Sequence, residues 1–509
     1  ADCKAEAICG SGDVRVARPT RDFGAFGVNL KRICRVALGG FHRRRADSKQ
    51  AFGRAARLRP ADSGRLLPAD SGAIFMRFDR QPKLWRDRHG RAHREIEANV
   101  PIHSASIERV TGPIEAAFAL QSQDFERLLA EGLSRPNPIV TPCGRDALYT
   151  WLVEAPSAGS VLLWLADLVE PGRIENAEFS RLGETGTWAL TVKLPRSWRA
   201  SYRIATNAAD PMDSPWRAAR GYGPVRVAAL KSSSLDRRSS ETMRSTAGEF
   251  SLAAGPEAPP ELWRCDVGRE AECSDAGRRT GGEAAGQGEC TRSGDSHPPR
   301  SRVEEISDGA ERAWIYVPKA DVPDFDRPTP LFLLFDGGTW VRDIRLPRLL
   351  DAAIASGAIA PLHVAMLDAG GEGDRWESLG VPCGQVDAVL DWLLPELRSR
   401  YNVAHDGAST WVAGQSLGGL SALWTAALSE GQVRHVVAQS PSLWRFDLAG
   451  PLAEAPWDSI RVDVGALEGT AHLAHRLAAR VPGIDVKEFC GGHDWACWRA
   501  ALFSSLASV

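Results

Sequence analysis

Five residues, Gly414-Gln415-Ser416-Leu417-Gly418, set glycines two positions to either side of a serine. The apolar run Trp411-Val412-Ala413 before them reads as a buried strand, and Leu420–Leu428 after them as a helix. A serine at such a strand-to-helix turn sits in strained backbone geometry, and side chains two residues away would strike the packed strand and helix. Glycine removes that collision. The turn lifts the Ser416 hydroxyl clear of the sheet and leaves the Leu417 amide free to bind an oxyanion. The chemistry this arrangement serves is attack of an alcohol on an acyl carbonyl.

A serine nucleophile needs a base. His493 stands in Gly491-Gly492-His493-Asp494, directly after the last expected strand, Val486–Phe489, where a base in an alternating strand-helix fold belongs. The other histidines are placed less well: His472 and His475 lie on a helix, and His363, His405 and His435 border strands on their entry side. The third member should orient His493 and stabilise its imidazolium. Glu468, just past the strand Ile460–Gly465, is favoured; Asp463 lies within that strand, and Asp494 has a sufficient role as a helix N-cap. A second oxyanion donor is expected in Asp336-Gly337-Gly338-Thr339-Trp340, with the Gly338 amide beside that of Leu417. Cys490, His493 and Cys497 offer three ligands where a structural zinc wants four, so no protein metal site is expected.

These groups can meet only on a suitable scaffold. From residue 303 to 509, strands (Ala313–Val317, Leu331–Phe335, Leu362–Leu367, Trp411–Ala413, Val433–Ala438, Ile460–Gly465, Val486–Phe489) alternate with amphipathic helices. That alternation predicts an α/β domain, a mostly parallel sheet with helices on both faces and ligands at the carboxyl ends of its strands. Ahead of it, residues 113–216 open with a helical pattern over Pro113–Glu131. They continue as the short strands Leu148–Val153, Ser160–Leu165, Thr187–Lys193 and Ala200–Ala205, separated by turn-forming residues. One face alternates in Trp188, Leu190, Val192 and Leu194, which predicts a small all-β sandwich. Residues 217–302 are rich in Ser, Arg, Gly, Glu and Pro and read as a low-complexity linker. Residues 1–112, with Arg43-Arg44-Arg45 and a repeated Pro-Ala-Asp-Ser-Gly, read as a disordered or non-native extension.

The totals exclude several classes. The chain of 509 residues is long enough for two or three domains, and its formal net charge of −2 gives no basic field for nucleic acid or a membrane surface. Ten scattered cysteines do not form a disulfide framework, and no apolar run spans a bilayer, so a reducing cytoplasm is the expected compartment.

The motifs carry a resemblance. Gly414-Gln415-Ser416-Leu417-Gly418-Gly419-Leu420-Ser421-Ala422-Leu423, then Gln439-Ser440-Pro441-Ser442-Leu443-Trp444, then Gly491-Gly492-His493-Asp494-Trp495-Ala496-Cys497-Trp498-Arg499 resemble the enterochelin (ferric enterobactin) esterases. The likeness runs from about Glu311 to the C-terminus, and Gly183–Tyr202 is similar to that family's N-terminal β-sandwich. It implies an α/β-hydrolase fold and a cytoplasmic serine esterase acting on a ferric catecholate siderophore, with Ser416 as nucleophile and His493 as base. Arg375-Trp376-Glu377-Ser378-Leu379 matches a family segment, and Arg375, Trp376 and Trp340 are the expected substrate contacts, with Trp444, Trp495 and Arg499 as further candidates. The iron comes with the substrate, and no cofactor is implied. The elbow fixes a reaction type and not an acyl group, so a general carboxylesterase, a thioesterase or an acyltransferase stays open, as does a non-catalytic siderophore or glycan binder.

Overall fold

The computed structural model describes residues 65–68, 74–77, 82–96, 99–101, 108–165, 169–246, 248–264, 301–319, 327–370 and 372–509, all within one unit of the chain, Ala61–Val509. The C-terminal part is built on an eight-stranded sheet. From one edge its strands run Arg302–Asp308, Glu311–Val317, His363–Leu367, Leu331–Leu334, Thr410–Gln415, His435–Gln439, Ser459–Gly465 and Ile484–Phe489. Glu311–Val317 pairs antiparallel with both of its neighbours, and every other pair is parallel. The central strands are continuous apolar runs such as Leu331-Phe332-Leu333-Leu334 because both their faces are covered. Helix Leu417–Leu428 and the helical stretch Gln385–Arg400 cover one face; Leu346–Ala355 and Trp495–Leu506 cover the other.

The strand order reverses around Leu331–Leu334: the chain next adds His363–Leu367 on one side, then Thr410–Gln415 on the other. At such a reversal the crossover connections part, and a crevice opens at the carboxyl ends of the strands. The loop after Leu334 and the turn at Ser416 both lie at that end.

Ahead of this sheet lie two antiparallel sheets. One runs Ser180–Arg181, Thr187–Pro195, Asp146–Glu154, Ile139–Cys143, and the other Ser233–Ser234, Arg199–Asn207, Gly248–Ala254, Thr242–Ser245. An aromatic core joins them: Trp151 meets Tyr202 and Trp198 edge-on, with ring centroids 5.7 and 6.5 Å apart. Edge-to-face packing suits the ring quadrupoles, and such pairs add about 0.5–1.5 kcal/mol beyond burial.

Three details differ from the sequence expectation. The helical stretch from Pro113 is two helices, Pro113–Ala119 and Phe125–Leu133, broken near Gln121, which has a φ of +50°. The supposed linker is folded up to residue 264. It supplies helix Tyr222–Lys231 and three strands of the second sheet. Its large buried apolar side chains are few, Tyr222, Val225, Met243, Phe250 and Leu252, and paired polar groups are buried among them. Buried Asp236 accepts hydrogen bonds from Tyr202 Oη at 2.9 Å and Asn137 Nδ2 at 2.9 Å, and its amide donates to Ser251 Oγ. Residues 265–300 of that stretch are outside the described residues.

The third difference lies in the expected extension. The hairpin Leu84–Arg86/Ala92–Arg94 packs on the C-terminal domain. Glu95 Oε1 is 2.8 Å from Nη2 of buried Arg445, and the His93 ring lies edge-on to Trp424 at 4.8 Å. Charge pairing across the contact replaces the apolar periodicity that a sequence reading looks for. Residues 1–64 fall outside the described residues.

Candidate active site

Ser416 has φ +57° and ψ −113°, between strand Thr410–Gln415 and helix Leu417–Leu428. An L-residue is held there only when its surroundings enforce it. A Cβ on Gly414 would lie 2.3 Å from the carbonyl carbon of Gly418, so any larger residue would force strand and helix apart. The Ser416 amide donates to Gln439 O (2.9 Å), and its Oγ lies 3.4 Å from Ser442 Oγ. Leu417 opens the helix, so its N–H is one of the four without an acceptor inside the helix and lies at the positive end of the dipole.

His493 Nδ1 is 3.1 Å from Glu468 Oε2. A carboxylate only accepts, so Nδ1 carries the proton and Nε2 is the nitrogen that can receive one from an alcohol. Glu468 is 3% exposed, and its Oε1 accepts from Ser440 Oγ at 2.5 Å and the Gly465 amide at 2.8 Å. The Trp498 indole meets the His493 ring edge-on at 4.6 Å and donates Nε1–H to Ser440 Oγ at 2.9 Å. Ser440, itself at φ +43°, therefore links the carboxylate to the indole. Asp463 is buried, accepts from Arg461 Nε at 2.6 Å, and is pushed upward in pKa by that burial. Asp494 caps the last helix through the Ala496 amide at 2.9 Å and reaches Ser201 of the sandwich.

Ser416, His493 and Gly338 line one cavity of about 780 Å³ at the carboxyl ends of the strands. The sandwich domain supplies part of its wall: Trp164, Tyr222, Arg226, Leu230 and Phe250. Gly338 precedes the helical turn Thr339–Asp343, in a loop opened by Asp336, which has a φ of +61°. A Cβ on Gly418 would come within 3.1 Å of Asp336 Oδ2.

The three expected substrate contacts separate. Arg375 lines the cavity, but its guanidinium grips Asp336 two-pronged, Nε to Oδ1 at 2.6 Å and Nη2 to Oδ2 at 2.8 Å. Trp340 is 0% exposed and donates Nε1–H to Gln415 Oε1 at 3.1 Å beneath the elbow. Trp376 stacks on Trp444 at 5.8 Å and lies against the Arg445 guanidinium. Neither tryptophan is among the described residues lining the cavity, because each satisfies its burial elsewhere. Arg499 is likewise committed, to Glu261 at 2.7 Å, while Trp495 does line the cavity. Ser440, Ser442, Trp498 and Ser201, which the sequence reading meets only as parts of matched segments, and Arg226, which it does not single out, have no role assigned there. Ser440 alone had a usable signal, its place directly after a parallel strand, as with Glu468.

Residues 151–264 match the family described as enterochelin esterase, N-terminal, and residues 311–509 the family described as esterase. The chain thus joins an enterochelin esterase N-terminal domain to an esterase domain. It is a carboxylic ester hydrolase. It is 27% identical over 438 residues to an iron(III) salmochelin esterase of Escherichia coli O6:H1, covering 80% of this chain and 98% of that one. Among solved structures, the ferric enterobactin esterase of Salmonella typhimurium superposes with a TM-score of 0.59 at 20% identity, covering 74% and 98% of the two chains. The enterobactin esterase of Shigella flexneri crystallised with enterobactin gives 0.56 at 19%, covering 76% and 97%. These two likenesses speak for the fold of this esterase. Among its described residues no helix is long and apolar enough to cross a membrane.

Proposed function

We propose that this esterase cleaves the ester bonds of a ferric catecholate siderophore, with Ser416 as nucleophile, His493 as base and Glu468 as the acid that orients it. The observation that carries the reading is the strained Ser416 opening into the same cavity as a histidine whose Nδ1 is held by a buried carboxylate. The names and coverage of the relatives support the choice of substrate.

In this mechanism Ser416 Oγ attacks the ester carbonyl and Nε2 of His493 takes its proton. The Leu417 and Gly338 amides hold the oxyanion. Collapse breaks the acyl–oxygen bond, and His493 returns the proton to the departing alcohol. Water, deprotonated by the same nitrogen, then attacks the acyl-enzyme, freeing the acid and restoring Ser416. Arg226 and Arg342, both on the cavity wall, offer charge to the anionic catecholate, and Trp495 a ring face. The iron travels as part of the substrate, and these steps call for no cofactor of the protein's own. A cytoplasmic location belongs to the same proposal. Four free cysteines among the described residues support it, and cell fractionation tests it.

The test is hydrolysis of ferric enterobactin, with dihydroxybenzoyl-serine products resolved by chromatography, beside a short nitrophenyl ester and an acyl-thioester. The siderophore should be cleaved with the largest kcat/KM. Ser416→Ala should lower kcat by about 10⁴–10⁶-fold while leaving substrate binding intact. Preference for the thioester, or normal turnover by the variant, would defeat the proposal.

A further inference from the structure

We propose that the sandwich domain, besides walling the cavity, positions the catalytic base: Ser201, acting through Asp494, sets the place of His493. The inference rests on the reading of His493 as the base.

The loop that carries His493 is held from two sides. On one side lies the segment bearing Glu468: the Ala466 amide donates to Phe489 O at 2.9 Å and the Leu467 amide to Gly491 O at 3.1 Å. On the other lies a single sandwich strand, Arg199–Asn207. The Arg199 amide donates to Cys490 O at 3.1 Å, and Cys497 Sγ donates to Arg199 O at 3.2 Å. A Cβ on Gly491 would stand 2.9 Å from that same carbonyl oxygen, so the two backbones are pressed together and glycine is required. Two residues further along that strand, Ser201 donates to the buried Asp494 carboxylate from its amide at 2.5 Å and from its Oγ at 3.0 Å.

The residue next to the base is thus hydrogen-bonded to the other domain through both carboxylate oxygens. The helix it caps carries Trp498, whose indole lies against the His493 ring. Hydrogen bonds to a charged acceptor are short and directional, so the strand fixes Asp494 and with it the adjacent peptide. An error of about 1 Å in the place of a catalytic group can cost about 10²-fold in rate. Correct seating of the sandwich is therefore a condition for an active base. A domain that only gripped substrate would act through KM.

The test uses the full chain with a short nitrophenyl ester, which is small enough to depend little on the cavity wall. Ser201→Ala removes one hydroxyl and keeps both the backbone bond and the charge. Asp494→Asn keeps the helix cap but turns an amide N–H₂ toward the Ser201 N–H. Kcat should fall about 3–10-fold in S201A and about 10–100-fold in D494N, with KM within about twofold of the parent. The downfield proton resonance of His493 Nδ1 should broaden in S201A and D494N, and Ser201→Thr, which retains the hydroxyl that S201A loses, should show the parental rate and resonance. If D494N fails to fold, S201A and S201T carry the test. Parental kcat and resonance in S201A and D494N, with His493→Ala inactive, would overturn the proposal and spare the base. An active H493A would overturn the base itself.

Discussion

His493 and Glu468 are 25 residues apart in sequence and 3.1 Å apart at Nδ1 and Oε2. The carboxylate cannot turn away, because Ser440 and the Gly465 amide hold its other oxygen. One residue thus fixes the tautomer of the imidazole and is itself fixed from behind.

Replacing Glu468 by Gln tests that relationship. An amide N–H₂ facing Nδ1–H would place two donors together or force the ring to the wrong tautomer. Kcat should drop about 10²–10⁴-fold with KM little changed. Steady-state kinetics on any cleaved ester decides it, and a loss below about threefold would remove Glu468 from the mechanism.

Arg375 is a second point of decision. Its two hydrogen bonds to Asp336 brace the loop that carries Gly338. Arg375→Gln should lower kcat about 10–100-fold, change KM less than about threefold, and destabilise the fold by about 2–3 kcal/mol, since Asp336 is left buried without its partner. A large rise in KM at unchanged kcat would show instead that the guanidinium binds substrate directly.

The hairpin ahead of the sandwich is part of the fold if its ion pair matters. Arg445 is 2% exposed and meets Glu95 together with the carbonyls of Trp376 and Leu379. Glu95→Ala should cost about 2–4 kcal/mol, because a buried cation loses its counter-charge while two carbonyls still accept from it. Denaturant unfolding measures this, and a cost under about 0.5 kcal/mol would make the hairpin an appendage.

Stability should also depend on pH through His363. Burial, and next the nearby Arg302 charge, pull its pKa from 6.5 down to about 4, and Nδ1 lies 2.6 Å from Thr329 Oγ1. Between those values the unfolded chain binds a proton that the folded one refuses. His363 therefore adds no pH dependence above about pH 6.5, and stability falls as pH drops toward 4, by about 3 kcal/mol in all. Urea unfolding from pH 4 to 8 should show this fall in the parent and a flatter profile in His363→Gln. Parallel curves would dismiss the idea.

Much of the C-terminal domain can be read from the residues, and for a physical reason. A parallel sheet buried on both faces demands continuous apolar strands, and an elbow demands glycines at fixed offsets; both are local constraints that leave marks at known spacings. The placement of Ser416 between strand and helix and of His493 after the last strand is legible for that reason, and Glu468 follows a strand at the same end of the sheet.

What the residues could not convey depends on partners distant in the chain. Arg375 and Trp340 have the chemistry of ligand contacts; only their neighbours, Asp336 and Gln415, commit them to holding the loop and the floor of the site. The strands between residues 233 and 254 look like linker because their buried apolar side chains, Met243, Phe250 and Leu252, are too few to stand out in the sequence, and strand pairing with distant residues holds them to the sandwich. The bond from Ser201 to Asp494 crosses 293 positions, and such a meeting exists only once both domains have folded against each other.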